Sequence, residues 1–558
     1  MQSPRPSFPP ESPERRDLSP MTARGRDSSG PAGLVADLQR PAAYPSPTPV
    51  GVELRATHGS WVFLTEKSAY KLKRPVDYGF LDYSTPDKRR YFCEVEVALG
   101  RRLAPDVYLG VEPVYLTAEG HRLFGPGQVV DHVVHMRRLA DADAASALLD
   151  AEALGPAHLE RLAVRLARFY RETPAHREID AATILAAAIE ENRRQALALG
   201  GVGLDPDAVG RVCAWQAASL RTRARILRER ALAGRVRDGH GDLRLEHVYF
   251  EGGQAGEPLI IDAIEFNEGF RLADVALDVA FLAMELDAAG REELAAAFLS
   301  SFAARTDDYG FFVLLDLYLS YRAFVRAKVA GFVAADAGTP PAKARRKRQE
   351  AEWLLAHAES YTRRHRAQAV VLVGGLPGVG KTTLAAAVGR ALALPVVSSD
   401  LVRKHLVGVD PETRARPEVY GAEWTERTYA GVLARARQVL DAGLGVVLDA
   451  TFREPRWRLE AKDLAASAGR PFIFVEAACD EATVRERLRA RGEVAHVSDA
   501  DLAVYARLRD SFVPPDELPA VEKLRADTRL RPEVLAGQIV AHLGAARSDP
   551  AVTASLFQ

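Results

Sequence analysis

The chain has 558 residues, 47% of them hydrophobic and 27% charged, with a formal net charge of −1. That length exceeds what one hydrophobic core fills and predicts two to four domains. The near-neutral charge argues against a generally basic nucleic-acid binder, and the three scattered cysteines, Cys93, Cys213 and Cys479, argue against a disulfide framework or a structural zinc site. No apolar run reaches the roughly 18 residues of a membrane span, and no signal-peptide core opens the chain, so a cytoplasmic protein is expected.

Residues 1–45 are rich in Pro, Ser, Arg and Gly and read as a disordered tail, with Met21 as an alternative start. From about 50 to 135 the pattern is strand-like: SWVFLTE and SAYKLK alternate, RRYFCEVEVALGRRL reads as a helix, and VYLGVEPVYL returns to strand. A helical stretch follows, with AHLERLAVRLARFYRE and DAATILAAAIEENRRQALAL its clearest amphipathic segments. Two short strands, HVYF and PLIID, interrupt it before helices resume. The charged segment 346–367 is expected to be a helical linker. From QAVVLVGG onward, strands PVVSS, GVVLDA and PFIFVEA alternate with helices, which predicts a parallel sheet with right-handed crossovers over 368–545 and a tail at 546–558.

The strand AVVLV leads into Gly375-Leu376-Pro377-Gly378-Val379-Gly380-Lys381-Thr382, with Thr383 next and a helix after it. This is GxxxxGK[ST] in its confirming strand–loop–helix context. Glycines let backbone N–H groups cradle phosphate, and the helix N-terminus adds a favourable dipole. Lys381 is expected at the β/γ-phosphates and Thr382 at Mg²⁺. The strand after it ends at Ser398-Ser399-Asp400, followed by Arg403. A carboxylate at the carboxyl edge of a parallel sheet can take the proton of an acceptor hydroxyl; the alternative is a helix cap formed by Ser399 or Asp400. VVLDATF places Asp449 at a strand end, as a second Mg²⁺ group. CDEATVRERLRARGE carries Arg487 and Arg491 four apart, candidates for a lid over the transferring phosphoryl or else a solvated face.

GLPGVGKTT, SSDLVRK, VVLDATF and RERLRAR, in that order, resemble the small P-loop kinases of the polynucleotide-kinase and gluconate-kinase type, the AAA_33 group. The resemblance implies ATP and Mg²⁺ as cofactors, Asp400 as the acceptor-activating acid and Arg403 as its partner.

In the middle of the chain, His240-Gly241-Asp242 precedes an apolar strand ending in Asp262, a pair of carboxylates. Upstream, Lys71 and Lys73 share a strand face, so either could meet phosphate, and Glu96 is the natural ion-pair partner. AYKLKRPVDYGFLDYST, CEVEVALGRRLAPDVYLGV, HGDL and IDAIEFN resemble the aminoglycoside-phosphotransferase branch of the protein-kinase-like fold, over 46–345. That resemblance implies a bilobal domain, Asp242 as base and Asp262 as Mg²⁺ ligand. His247 stands where the family's HGDxxxxN pattern carries its metal-holding Asn. Asp274 and Asp278 read as helix anchors, and His240 as structural.

Fold class is thus α/β and α+β in two domains, and the expected activity is transfer of the ATP γ-phosphoryl to a hydroxyl of a small molecule. A nucleic-acid 5′-hydroxyl is possible but not favoured, a regulatory ATP-binding protein with a degenerate N-terminal domain is the other alternative, and no membrane partner is expected.

Overall fold

The computed structural model describes residues 33–548 apart from 46–47, 58, 78, 80, 254–255, 365–366, 412, 414–415 and 492–501. Most of the tail expected at 1–45 therefore lies outside the described residues. The chain forms two compact units, one of residues up to 97 with 108–138, the other of 98–107 with 139 onward. This division does not fall at the boundary expected between 345 and 368.

The first unit is built on a six-stranded antiparallel sheet in the order β1-β2-β3-β6-β4-β5. Helix α1 (Leu34–Leu38) precedes β1 (Glu53–Ala56), β2 (Ser60–Leu64) and β3 (Ser68–Lys73); α2 (Pro86–Gly100) follows, then β4 (Tyr108–Thr117), β5 (Gly120–Arg122) and β6 (Gln128–Arg137). Period-two alternation gives the sheet two distinct faces. Trp61, Phe63, Tyr70 and Leu72 pack on one face with Leu34, Leu38, Ala43 and Tyr44. Residues 34–44 are therefore a packed cover and not part of a disordered tail: two buried leucines repay the ordering that Pro- and Ser-rich flanks would not. The other parity carries Lys71 and Lys73. The buried Arg89 of α2 donates from Nε and Nη2 to Asp131 of β6, at 2.8–3.0 Å, and from Nη1 to the carbonyl of Tyr83.

The second unit holds a helical module and a parallel sheet. The helical module comprises α3 (Ala145–Asp150), α4 (Pro156–Glu172), α5 (Ala181–Ala198), α6 (Pro206–Leu232), α7 (Val275–Ala288), α8 (Glu292–Thr306), α9 (Leu315–Ala335) and α10 (Pro341–Ser360). Between α6 and α7 lie four short strands, β7 (Val236–Asp238), β8 (Val248–Tyr249), β9 (Leu259–Ile260) and β10 (Leu272–Asp274), paired as β10-β7 and β8-β9. The segment 346–367, expected as a helical linker, is largely helical: α10 packs along α9 and buries Ala351, Leu354, Leu355 and Ala358. Its surface charge hides a narrow apolar stripe.

The sheet domain runs β11 (Val370–Gly374), α11 (Lys381–Leu392), β12 (Val396–Ser398), α12 (Ser399–Leu406), α13 (Ala422–Asp441), β13 (Val446–Asp449), α14 (Pro455–Ser467), β14 (Phe472–Ala478), α15 (Glu481–Arg491), α16 (Leu502–Arg509), β15 (Lys523–Asp527) and α17 (Pro532–Ser548). Its five strands are parallel in the order β12-β13-β11-β14-β15. Alternate residues of β11 face opposite cores: Val371 and Val373 join Ile473 and Val475, whereas Val370 and Leu372 join Leu448, Phe474 and the core of the helical module. That shared core explains why the helical module and the parallel-sheet domain fall in one unit. No helix is long and apolar enough to cross a membrane among the described residues.

One buried cation organises the helical module. Arg230 of α6 donates to Asp274 at 2.6 and 2.8 Å and to Asp308 at 2.7 and 2.9 Å. Removing one partner of such a group leaves uncompensated buried charge, so Arg230→Ala should cost about 3–5 kcal/mol, read as a lowered urea midpoint. Burial also pushes the His240, His158 and His357 imidazoles below their ordinary range. The unfolded chain takes up protons near pH 6.5 that the folded chain refuses. Stability should be full above about pH 6.5 and fall as pH drops below it. A melting temperature indifferent to that range would contradict the buried neutral imidazoles.

Candidate active site

The strand-to-helix loop after β11 has the phosphate-cradle conformation. Gly375, Gly378 and Gly380 take φ of 137°, 78° and 94°, the region that disfavours side chains. A Cβ on Gly378 would also stand 2.9 Å from Leu488 and Val484. The Lys381 ammonium donates to the carbonyl of Leu376 at 2.8 Å. Thr382 and Thr383 open α11 at the surface, and the Thr382 hydroxyl donates to Asp449 Oδ2 at 2.8 Å. Register explains the meeting: Asp449 lies opposite Val373 on one side and Ser398 on the other, at the carboxyl edge of the sheet. Asp449 is 3% exposed. A hydroxyl and a carboxylate are hard oxygen donors, which suits Mg²⁺.

Asp400 sits in the first turn of α12, and Ser398, not Ser399 or Asp400, is the N-cap residue, with no side-chain cap bond. The cap alternative for Asp400 is thereby set aside. Arg403 is buried at 8% exposure. Its Nη1 donates to the carbonyl of Val419 at 2.7 Å, and its guanidinium lies 4.9 Å from the Tyr420 ring. Its Nε has no hydrogen-bond partner among the described residues, and burial lowers its pKa, with Asp400 acting against that shift.

Three residues at this edge escaped sequence reasoning. The Tyr429 hydroxyl bonds Thr451 Oγ1 at 3.0 Å and accepts from the Phe452 amide at 2.9 Å. Phe452 has φ 45°, an uncommon value for a bulky residue. Arg458, fully buried, donates to the Phe452 carbonyl and pairs with Glu517 at 2.5 and 3.0 Å. Apart from the Arg458–Phe452 bond, these contacts span 22 to 59 residues, so no local spacing announces them. The one available signal was the pattern DATF itself.

Arg487, expected as a lid residue, here contacts the phosphate loop. Its Nη1 donates to the carbonyl of Val379 at 3.1 Å and to Thr528 Oγ1 at 3.2 Å, and its Nη2 to the carbonyl of Thr528 at 2.8 Å. It ties the phosphate loop to the end of β15, because α15 packs directly under Gly378 and Gly380. Arg485 pairs with Glu481 on an exposed face. The Arg491 side chain lies outside the described residues.

The kinase-like groups are divided between the two units. In the first, the Glu96 carboxylate accepts from Lys71 at 2.9 Å and from Lys73 at 2.7 Å. Lys73 is 0% exposed and lies 4.7 Å from the Tyr83 ring, whereas the Lys71 side chain keeps 14% exposure. Lys71 is therefore the better placed of the two for a phosphate.

In the second unit, Asp278 holds the His-Gly-Asp loop. It accepts from the His240 and Gly241 amides at 2.6 and 2.9 Å and from the Tyr170 hydroxyl at 3.0 Å. A Cβ on Gly239 would stand 2.2 Å from Asp278 Oδ2. His240 Nε2 donates to the carbonyl of Ile261 at 2.9 Å, linking this loop to the one that carries Asp262. Asp274 caps α7 through the Ala276 amide. The expected structural roles of Asp274, Asp278 and His240 fit these contacts. Asp262 has φ 66°. His247 stands between the two carboxylates, its Nδ1 3.6 Å from Asp242 and its Nε2 3.7 Å from Asp262. Imidazole is a poor Mg²⁺ ligand, so this half of the donor set suits that ion less well than Thr382 and Asp449 do.

Fold and site together define an enzyme of the P-loop phosphotransferase class. Residues 370–515 match the family model described as AAA domain. The chain is 30% identical over 477 residues to the uncharacterized protein Rv2004c of Mycobacterium tuberculosis (strain ATCC 25618 / H37Rv), covering 84% of this chain and 92% of that one. The uncharacterized protein Mb2027c of Mycobacterium bovis matches to the same extent. The chain belongs to the family of these mycobacterial proteins. Solved structures similar to it include a GDP and kanamycin complex of APH(2″)-IIIa (13% identity, 59% of this chain, 99% of that one, TM-score 0.36). Others are the Mycobacterium tuberculosis APS kinase CysC (20%, 32% and 99%, TM-score 0.25) and a gluconokinase from Sinorhizobium meliloti 1021 (16%, 32% and 94%, TM-score 0.23).

Gly378→Ala should weaken nucleotide binding about tenfold, since a left-handed φ alone costs a non-glycine residue about 1–2 kcal/mol. Titration with a fluorescent ATP analogue reads this directly.

Proposed function

We propose that the P-loop domain transfers the γ-phosphoryl of ATP to a hydroxyl of a small acceptor. The observation that carries this reading is the Thr382–Asp449 bond at the carboxyl edge of the sheet, one strand from Asp400 and Arg403. Lys381 leaves the Leu376 carbonyl to meet the β/γ-phosphates. Thr382 and Asp449 would hold Mg²⁺, which when bound would offset the charge of the transferring phosphate. Asp400 accepts the proton of the attacking hydroxyl. Arg487 keeps the phosphate loop in shape rather than touching substrate.

Arg403 bears on the acceptor. A buried guanidinium whose Nε lacks a partner favours an anionic group on the incoming molecule. A phosphodiester beside a nucleic-acid 5′-hydroxyl satisfies that requirement too, so the same observation supports a second reading as an end-processing kinase. Within the second unit, Asp242 and Asp262 would make the His-Gly-Asp region a candidate metal and phosphate site, with His247 in place of a metal-holding amide. We infer that it binds more readily than it transfers.

ATP turnover by the full chain, measured against sugars, sugar acids, nucleosides and 5′-hydroxyl oligonucleotides, tests the reading. Lys381→Ala should abolish acceptor-dependent turnover, and Asp400→Asn should lower kcat by about 10²–10⁴-fold, the usual contribution of a positioned base. Asp242→Ala should leave it unchanged. Turnover that survives Lys381→Ala and disappears with Asp242→Ala would move the activity to the His-Gly-Asp region.

A further inference from the structure

β12 is an edge strand of the parallel sheet, and such a strand exposes the N–H and C=O of alternate residues. Here the residue facing outward is Val396. Pro395 faces inward, since its carbonyl accepts from the Val447 amide of β13 at 3.0 Å. Both outward groups of Val396 are taken by the helical module. Its amide donates to the Ser300 hydroxyl of α8 at 2.9 Å. Its carbonyl accepts from the Tyr309 hydroxyl at 3.0 Å. Tyr309 lies in the turn after α8 and is 2% exposed.

The far end of α12 is fixed to the same element. His405 Nε2 donates to the carbonyl of Ala304 at 2.8 Å. Arg435 of α13 pairs with Asp307 through two bonds of 2.5 Å. Asp307 has φ 53° as the residue closing α8. The segment holding Asp400 and Arg403 is therefore braced before it, at Val396, and after it, at His405, by residues within the ten positions 300–309 of the helical module.

We propose that Ser300 and Tyr309 are positioning residues for the P-loop reaction: the helical module serves as the missing edge of the sheet and sets where Asp400 stands. The proposal rests on the phosphotransfer reading above. Neither hydroxyl touches ATP, acceptor or metal. Each acts through the backbone of a strand whose next turn carries the base. The phosphate loop, two strands away at β11, is held by other contacts, through Arg487, Thr382 and α15. Loss of the two hydroxyls therefore acts on the acceptor half of the site and leaves the nucleotide half in place.

The experiment is steady-state ATP turnover by the full chain with MgATP as the varied substrate, in water and with each acceptor of the panel above. The variants are Ser300→Ala with Tyr309→Phe, Ser300→Thr, and Asp400→Asn. Expected for the double variant is a kcat roughly tenfold lower, short of the order of a hundredfold that an ångström of misplacement costs, with an unchanged KM for ATP and unchanged binding of a fluorescent ATP analogue. Ser300→Thr keeps a hydroxyl and should keep most of the rate. Tyr309→Phe alone, which removes one oxygen, carries the same test were the double variant to misfold by circular dichroism. An unchanged kcat in the double variant, alongside a collapse in Asp400→Asn, overturns the positioning role. A parallel rise in KM for ATP also overturns it, by showing a general loss of structure. A wild-type chain with no turnover overturns the phosphotransfer reading itself, a different result, because Asp400→Asn then has nothing to lose.

Discussion

The Arg230 guanidinium, sealed in the helical module between two carboxylates, is the constraint on which the geometry of both functional edges depends. Asp274, on one side, starts α7, and one turn later that helix presents Asp278 to the backbone of the His-Gly-Asp loop. Asp308, on the other side, stands between Asp307 and Tyr309, the residues that reach α13 and β12. Tyr318 adds a hydroxyl to Asp274 at 3.1 Å. A charge in that position is stable only with all its partners in place, so α6, α7 and the turn after α8 keep a single mutual arrangement. Two loops far apart in sequence thereby share one mechanical origin.

The chemistry of the P-loop half was legible because it is local. GLPGVGKTT occupies adjacent positions, and the strand–loop–helix context follows from periodicity alone. Asp449 and Asp400 were legible for a related reason: apolar strands of a parallel sheet end at the same edge, so a carboxylate after each run falls near the loop. The contacts of Arg487 were not legible, because a helix face gives direction but not target. Its neighbours, Val379 and Thr528, belong to other elements. Tyr429, Thr451 and Arg458 were invisible for the same reason.

Domain organisation was less legible than either site. Composition suggested a charged linker, yet a helix needs only one apolar residue per turn to pack, and Ala351, Leu354, Leu355 and Ala358 suffice for α10. Leu34 and Leu38 gave too short a pattern to be seen beside a Pro-rich tail. The strand β15 was missed because its sequence, KLRAD, is mostly charged, as an edge strand can be. In the kinase-like part, Lys71 and Lys73 were recognised as a pair, but only burial separates their roles.

The capped edge of β12 bears on how such a chain can change over generations. In a beads-on-a-string fusion the joint can lengthen, shorten or be lost, and each bead drifts on its own. Here a serine and a tyrosine from one half complete the sheet of the other. Duplication or transfer of the P-loop half alone would carry an open strand with it, prone to self-association. The proposed positioning role would tie the two halves together in inheritance, with substitutions at Ser300, Tyr309 and their neighbours constrained by a reaction in a part of the chain to which they do not belong.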